Sequence, residues 1–133
     1  MPGRFRRLTG DRGAAAVEFA LVVPILLLLV FGIAEFGRAY NIQTTLSGAA
    51  REGARTMALQ NDVGAATAAT VAAAEPLDLG GAQISVSPGA CPVSGTTASD
   101  TVRVTVTYEM DYLTNLFGSS LQLSGSGVML CNG

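Results

Sequence analysis

Hydrophobic positions fall into three regimes along the chain. From Phe19 to Ala34 the run carries no charge, and between Ala14 and Ala34 the only charged residue is Glu18. A hydrocarbon core about 30 Å thick takes roughly 20 helical residues to cross, so this run is long enough. Lipid offers no partner to a backbone amide, and a span of this length is therefore read as a helix. Past Ala34 the period changes. Ile42, Leu46, Ala49, Ala50, Gly53 and Met57 return at three- and four-residue steps, with Gln43, Thr44, Ser47, Arg51, Glu52 and Arg55 between them. That stripe predicts an amphipathic continuation of the same helix to Leu59. A helix from Ala14 to Leu59 would measure about 65–70 Å at 1.5 Å per residue. Residues 14–37 would form its membrane half and 38–59 its amphipathic half. Pro24 removes one amide donor and opposes the carbonyl of Ala20, which predicts a kink or local loosening.

The third regime, residues 60–133, changes character every ten residues or so. Gln60-Asn61-Asp62 breaks the helix and offers caps for a second, short one over Val63–Ala74, built almost wholly from Ala, Thr, Val and Gly and closed by Glu75-Pro76. Gln83–Ser87 alternates as a strand, and Thr101–Tyr108 does so cleanly, with Val102, Val104, Val106 and Tyr108 on one face. Asp111–Gly118 reads as a loop with apolar anchors at Leu113, Leu116 and Phe117. Leu121–Leu123 and Gly127–Cys131 supply a last edge, with Ser124-Gly-Ser-Gly127 as a bulge or bend. The expected fold class is α+β: one long N-terminal helix, a short second helix, and an antiparallel sheet of three to four strands packed on the first.

Charge sharpens this plan. The first 13 residues carry four Arg and one Asp, whereas the remainder carries four Arg against nine acids, with no Lys and no His anywhere. Basic residues ahead of an apolar span hold the N-terminus in the cytoplasm and export the C-terminal part. The expected location is a single pass through the cytoplasmic membrane with an extracytoplasmic head. An acidic exported chain without a basic patch argues against nucleic-acid binding. Catalysis has little to stand on: there is no His base, no glycine-rich phosphate loop and no metal-ligand spacing, and no Ser or Thr has an activating partner. The expectation is a non-enzyme with no cofactor and no metal. Asp100, Glu109 and Asp111 are read as solvated loop charges, the alternative being an exposed acidic patch that they line together.

Glu18 is the residue that needs an explanation, because a carboxylate in a membrane segment is costly unless a cation meets it. One reading is an interfacial acid that reaches water or Arg12. The other starts from Gly13: a cut after it would make Glu18 the fifth residue of the new chain and create an α-amino group at Ala14, whereas a cut after Gly10 would not give that spacing.

The run Gly13-Ala-Ala-Ala-Val-Glu18-Phe19 resembles the prepilin-peptidase site of tight-adherence (Flp, type IVc) pilins. Together with Glu35-Phe-Gly-Arg38 and Ala49-Ala-Arg-Glu-Gly-Ala-Arg55, it is similar to the TadE-like family of minor pilins or pseudopilins, over roughly Arg12–Met57. The resemblance implies a pilin-like fold, a basic leader 1–13 removed by a prepilin peptidase, and a membrane-held subunit that joins other pilin or pseudopilin subunits and the inner-membrane assembly machinery of an adhesive pilus. It also implies that Glu18 neutralises the Ala14 α-amine, commonly that of a neighbouring subunit. The site residues expected are then Gly13 and Ala14 for processing and Glu18 for the assembly charge pair.

Cys91 and Cys131 both lie in the exported part. An oxidising compartment favours pairing them, two ligands are too few for structural zinc, and a redox role prefers close spacing. Pilins often close their C-terminal region with such a bond, so the resemblance points the same way. Two rival readings of the whole chain remain. One is an unprocessed single-pass anchor whose head binds partners. The other is a domain released by signal peptidase at Gly32-Ile-Ala34, with a mature start near Glu35.

Overall fold

The computed structural model describes residues 10–92 and 100–131. Most of the basic leader (residues 1–9, with Arg4, Arg6 and Arg7) and the segment 93–99 of the loop after Pro88 lie outside the described residues. Helix α1 spans Gly10–Gln60 and continues through Pro24, α2 spans Val63–Ala73, and three strands complete the chain: β1 Ile84–Ser87, β2 Thr101–Asp111 and β3 Ser120–Leu130. The sheet is antiparallel in the order β1-β2-β3. The α+β plan expected from the sequence is the one observed. The chain divides into two compact units, Met1–Phe36 and Gly37–Gly133.

In the first unit the described residues are a single helix. Its apolar side chains point outward: Phe19, Leu21, Ile25 and Ile33 are each about two-thirds exposed. A helix this apolar and this uncovered has the length and composition to cross a membrane.

The second unit is built on the stripe of α1. Ile42, Leu46, Ala49, Ala50, Ala54 and Met57 are buried, together with Val102, Val104, Val106 and Met110 from one face of β2. Period-two alternation brings those β2 side chains to one face, and period 3.6 does the same for α1. Asp62 caps α2, its Oδ1 accepting from the amide of Ala65 at 3.1 Å. In α2, Thr70 is buried and its hydroxyl donates to the carbonyl of Ala66 at 2.8 Å.

Two expectations are corrected. Ser124-Gly-Ser-Gly127 is neither bulge nor bend, since β3 runs unbroken and pairs residue for residue with β2 from Thr101↔Leu130 to Asp111↔Ser120. The glycines serve a different purpose. A Cβ on Gly125 would lie 2.5 Å from the carbonyl carbon of Leu46 and 2.6 Å from the amide of Ser47; one on Gly127 would lie 2.5 Å from the carbonyl of Ala50 and the amide of Arg51. Strand backbone rests directly on helix backbone, and only hydrogen fits between them. The second correction concerns Leu113, Leu116 and Phe117. They are 64%, 58% and 59% exposed and do not anchor the β2–β3 connection in the core.

Glycines on the helix and on the strand predict opposite responses to one substitution. Gly48 has open space around it, so Gly48→Ala gains helix propensity and raises stability by about 0.5–1 kcal/mol. Gly127→Ala forces a methyl into backbone that cannot yield and lowers stability by about 1–3 kcal/mol or more. Thermal unfolding of the detergent-extracted chain, with each variant beside the parent, checks both signs.

Candidate functional site

The sequence-predicted processing residues all fall on α1. Gly13 and Ala14 sit in its opening turns, where the first amides of a helix have no intrahelical acceptor. Gly13, Ala14 and Glu18 are exposed, and no heavy atom lies within 4 Å of where a Cβ on Gly13 would sit. Ala14 and Glu18 are four residues apart and therefore share one face of the helix. A new amine at Ala14 would become the helix N-terminus, with its partial positive charge added to that of the amine, and a carboxylate one turn in is favoured there. The arrangement offers a peptidase an accessible glycine and offers a cation an accessible acid.

Glu35 behaves differently and was not singled out by the sequence beyond its place in the Glu35-Phe-Gly-Arg38 run. It is 4% exposed and is the only buried charged side chain among the described residues. Arg38, three residues on, donates from Nη1 to the carbonyl of Asp111 at 2.8 Å.

The Ala49–Arg55 block has a structural explanation. Ala49, Ala50, Gly53 and Ala54 are buried while Arg51, Glu52 and Arg55 are exposed. Ala50 is where Gly127 of β3 touches the helix. Gly53 faces α2, where a Cβ would fall on the Thr70 hydroxyl and 3.3 Å from the carbonyl of Ala66. The block is a run of small residues against which a strand and a helix both lie.

Cys91 and Cys131 are bonded, with Cα atoms 5.6 Å apart and 40 residues between them in sequence. The sequence missed the group that positions this bridge. Asn61 comes directly after the last residue of α1 with φ 51°, the left-handed conformation that asparagine tolerates better than most residues. Its amide donates to the carbonyl of Met57 at 2.8 Å, while its side chain accepts from the amide of Cys91 at 2.6 Å and donates to the Cys91 carbonyl at 3.4 Å. At the other cysteine, the Cys131 amide donates to the carbonyl of Asp100 at 2.8 Å. An Asn directly after a helical stripe was the available signal, but its partner lies 30 residues away.

Among the described residues there is no group of three or more His, Cys, Asp or Glu that could hold a metal. A surface depression of about 250 Å³ is lined by Arg55, Ala58, Leu59 and Met129; it contains no acid, base pair or nucleophile.

With the geometry of α1 in place, comparison with known families becomes informative. Residues 13–55 match the family model described as TadE-like protein. Over these residues the chain is similar to that family. The matched segment starts at Gly13, includes Glu18, and ends on the small-residue block that packs against β3 and α2. The similarity covers about a third of the chain, and the remaining residues lie outside it. Neither a curated protein nor a solved structure matches the chain.

The bridge and its latch predict two separable losses. Reduction removes a constraint of about 4 kcal/mol on the unfolded chain in the loop-entropy model. Asn61→Gly keeps the left-handed turn but loses both side-chain bonds to Cys91, costing about 1–2 kcal/mol. Urea unfolding of the extracted chain, oxidised and reduced, reads both.

Proposed function

We propose that this chain is a non-catalytic minor pilin or pseudopilin, cut by a prepilin peptidase after Gly13 and assembled with other pilin-type subunits of a tight-adherence pilus. The observation that carries the proposal is the TadE-like match over residues 13–55, which begins on Gly13; in the sequence Glu18 follows five residues later. The exposed glycine in the first turns of α1 supports access by a membrane peptidase, since helix ends fray. The exposed apolar helix supports a single pass through the cytoplasmic membrane, with the four Arg of residues 1–13 inside and residues 38–133 outside.

The proposed mechanism is electrostatic. Cleavage turns a peptide nitrogen into the ammonium of Ala14. Within the bilayer, that charge and the carboxylate of Glu18 each need a partner. Glu18 of one subunit and the Ala14 amine of the subunit below supply one another, so a new subunit is held where the two charges meet. Removing one member would leave the other buried without a partner, at a cost of several kcal/mol.

The first measurement is the N-terminal residue of the protein extracted from membranes of cells that hold the whole pilus system. Intact mass and terminal sequencing are expected to give a start at Ala14. A start at Met1 overturns processing and favours an unprocessed anchor, and a start near Glu35 favours a released head. Gly13→Leu is expected to keep the leader attached, with the mass of residues 1–13 retained.

Glu18→Ala separates cutting from assembly. The variant is expected to start at Ala14 and to stay in the inner membrane, with its content in sheared pili falling at least about tenfold for a 1.4 kcal/mol loss. Parental levels in pili would sink the charge-pair mechanism while leaving processing intact.

A further inference from the structure

The sheet of the second unit has two edges of unlike kind. β1 is four residues long and stops before Pro88, whereas β3 runs for 11 residues as Ser-Leu-Gln-Leu-Ser-Gly-Ser-Gly-Val-Met-Leu, without a charge or a proline. Sheet edges are ordinarily protected by brevity, proline, a bulge or a charged side chain, and β3 has none of these. Its pairing with β2 decides which backbone groups remain over. The Cys131 amide donates to Asp100 and the Tyr112 amide to Ser119, so in this register the odd-numbered residues of β3 bond β2. The N–H and C=O groups of Ser126, Val128 and Leu130 therefore point away from the sheet. At Ser124 the outward carbonyl is taken by the Gln43 side chain.

That bond also shows which part of α1 borders the edge. Gln43 begins a ridge of residues four apart that continues through Arg51, Arg55 and Leu59. β3 follows this ridge: Gly125 lies at Leu46–Ser47 and Gly127 at Ala50–Arg51, two strand residues for every four of the helix. Arg51, Arg55 and Leu59 are exposed, and neither guanidinium is hydrogen-bonded or ion-paired among the described residues. Between ridge and strand lies the depression of about 250 Å³ lined by Arg55, Ala58, Leu59 and Met129. One wall of this groove thus offers strand hydrogen bonds, and the other offers two cations followed by an apolar hollow.

We propose that the groove binds an extended, acidic segment of a partner protein, which adds to the sheet as a fourth strand beside β3. Main-chain bonds to Ser126, Val128 and Leu130 hold the segment, and its alternate side chains select it. Consecutive side chains on one face of a strand are about 6.6–6.8 Å apart, close to the rise of about 6 Å between successive members of the α1 ridge. The occupant therefore carries acids at two alternate positions, facing Arg51 and Arg55, and an apolar residue at the next, facing Leu59. Its outward side chains cover Val128 and Leu130, which are 45% and 51% exposed. A second copy of this chain does not fit the requirement, because neither of its edge strands, β1 and β3, contains an acid.

The probe is the capped peptide Val-Leu-Val-Glu-Thr-Glu-Thr, written to run antiparallel to β3, with Leu and both Glu on one face. Dye-labelled peptide is titrated with the full oxidised chain in detergent, and binding is read by anisotropy. Exchange of single amides is followed by NMR. The expected result is saturable binding that slows exchange at Ser126, Val128 and Leu130. The same peptide with Lys for both Glu binds at least about tenfold more weakly, and a chain carrying both Arg51→Glu and Arg55→Glu reverses that preference. Val128→Pro removes an edge amide that β2 does not use and weakens binding at least about tenfold. No binding to the parent chain overturns the proposal. Binding without slower exchange at the three amides, or undiminished in Val128→Pro, also overturns it, because the peptide then sits elsewhere. Equal binding of the Glu and Lys peptides overturns the acidic occupant. Amides already slow without peptide, and faster on dilution, overturn it in favour of a second copy. Should Val128→Pro lose the Cys91–Cys131 bond, the charge reversal at two exposed helix positions decides alone.

Discussion

Everything in the head depends on how closely β3 lies to α1. At Leu46–Ser47 and at Ala50–Arg51 the strand backbone meets helix backbone with no room for a side-chain carbon between them. That approach lets an 11-residue strand cover a helix whose own contacting residues are mainly alanine and glycine. It also brings Val104 and Val106 of β2 within reach of Leu46, Ala50 and Ala54 in one apolar cluster. The same economy governs the other side of the helix, where Gly53 admits Thr70. A core with so few large side chains gains less from each buried residue, and it compensates by tight packing. The Cys91–Cys131 bridge and the Asn61 latch add constraint at the end of α1 where those contacts finish.

The two units expose different kinds of side chain. In residues 14–34 the large apolar side chains face outward, as they do where hydrocarbon is the medium. In residues 38–57 the large and small apolar residues face inward, and the polar ones take the surface. The TadE-like segment spans this change. Its early residues carry the exposed Gly13 and Glu18, and its late residues form the bed for β3 and α2. One stretch of sequence therefore carries both an uncovered apolar helix and the surface on which the head is packed.

Much of this was legible in the sequence because it rests on periodicity. The buried stripe Ile42–Met57 repeats at helical spacing, and the buried face of β2 repeats at two. The corrected elements were hidden for physical reasons. Ser124-Gly-Ser-Gly127 suggested a bend because glycine is usually read through its conformational freedom. Here its period of two, with serine outward and glycine inward, was the strand signature, and the cause was the missing side chain. Leu113, Leu116 and Phe117 suggested burial because apolarity alone does not say which solvent a side chain faces. The latch from Asn61 to Cys91 had no local signal, since it joins residues 30 apart. Gly13 and Glu18 stand out in the sequence by their spacing, and both are exposed on α1.

The contact of Gly125 and Gly127 with the backbone of α1 also limits how this protein can change over time. When two side chains clash, a smaller partner on the opposite element can relieve the strain, and the two positions can drift together. Here the opposing atoms are peptide carbons, oxygens and nitrogens, which are the same whatever residue occupies positions 46, 47, 50 or 51. No single exchange on the helix can make space for a larger residue on the strand. These two sites are therefore closed to compensated drift: they can vary only if the strand itself moves off the helix.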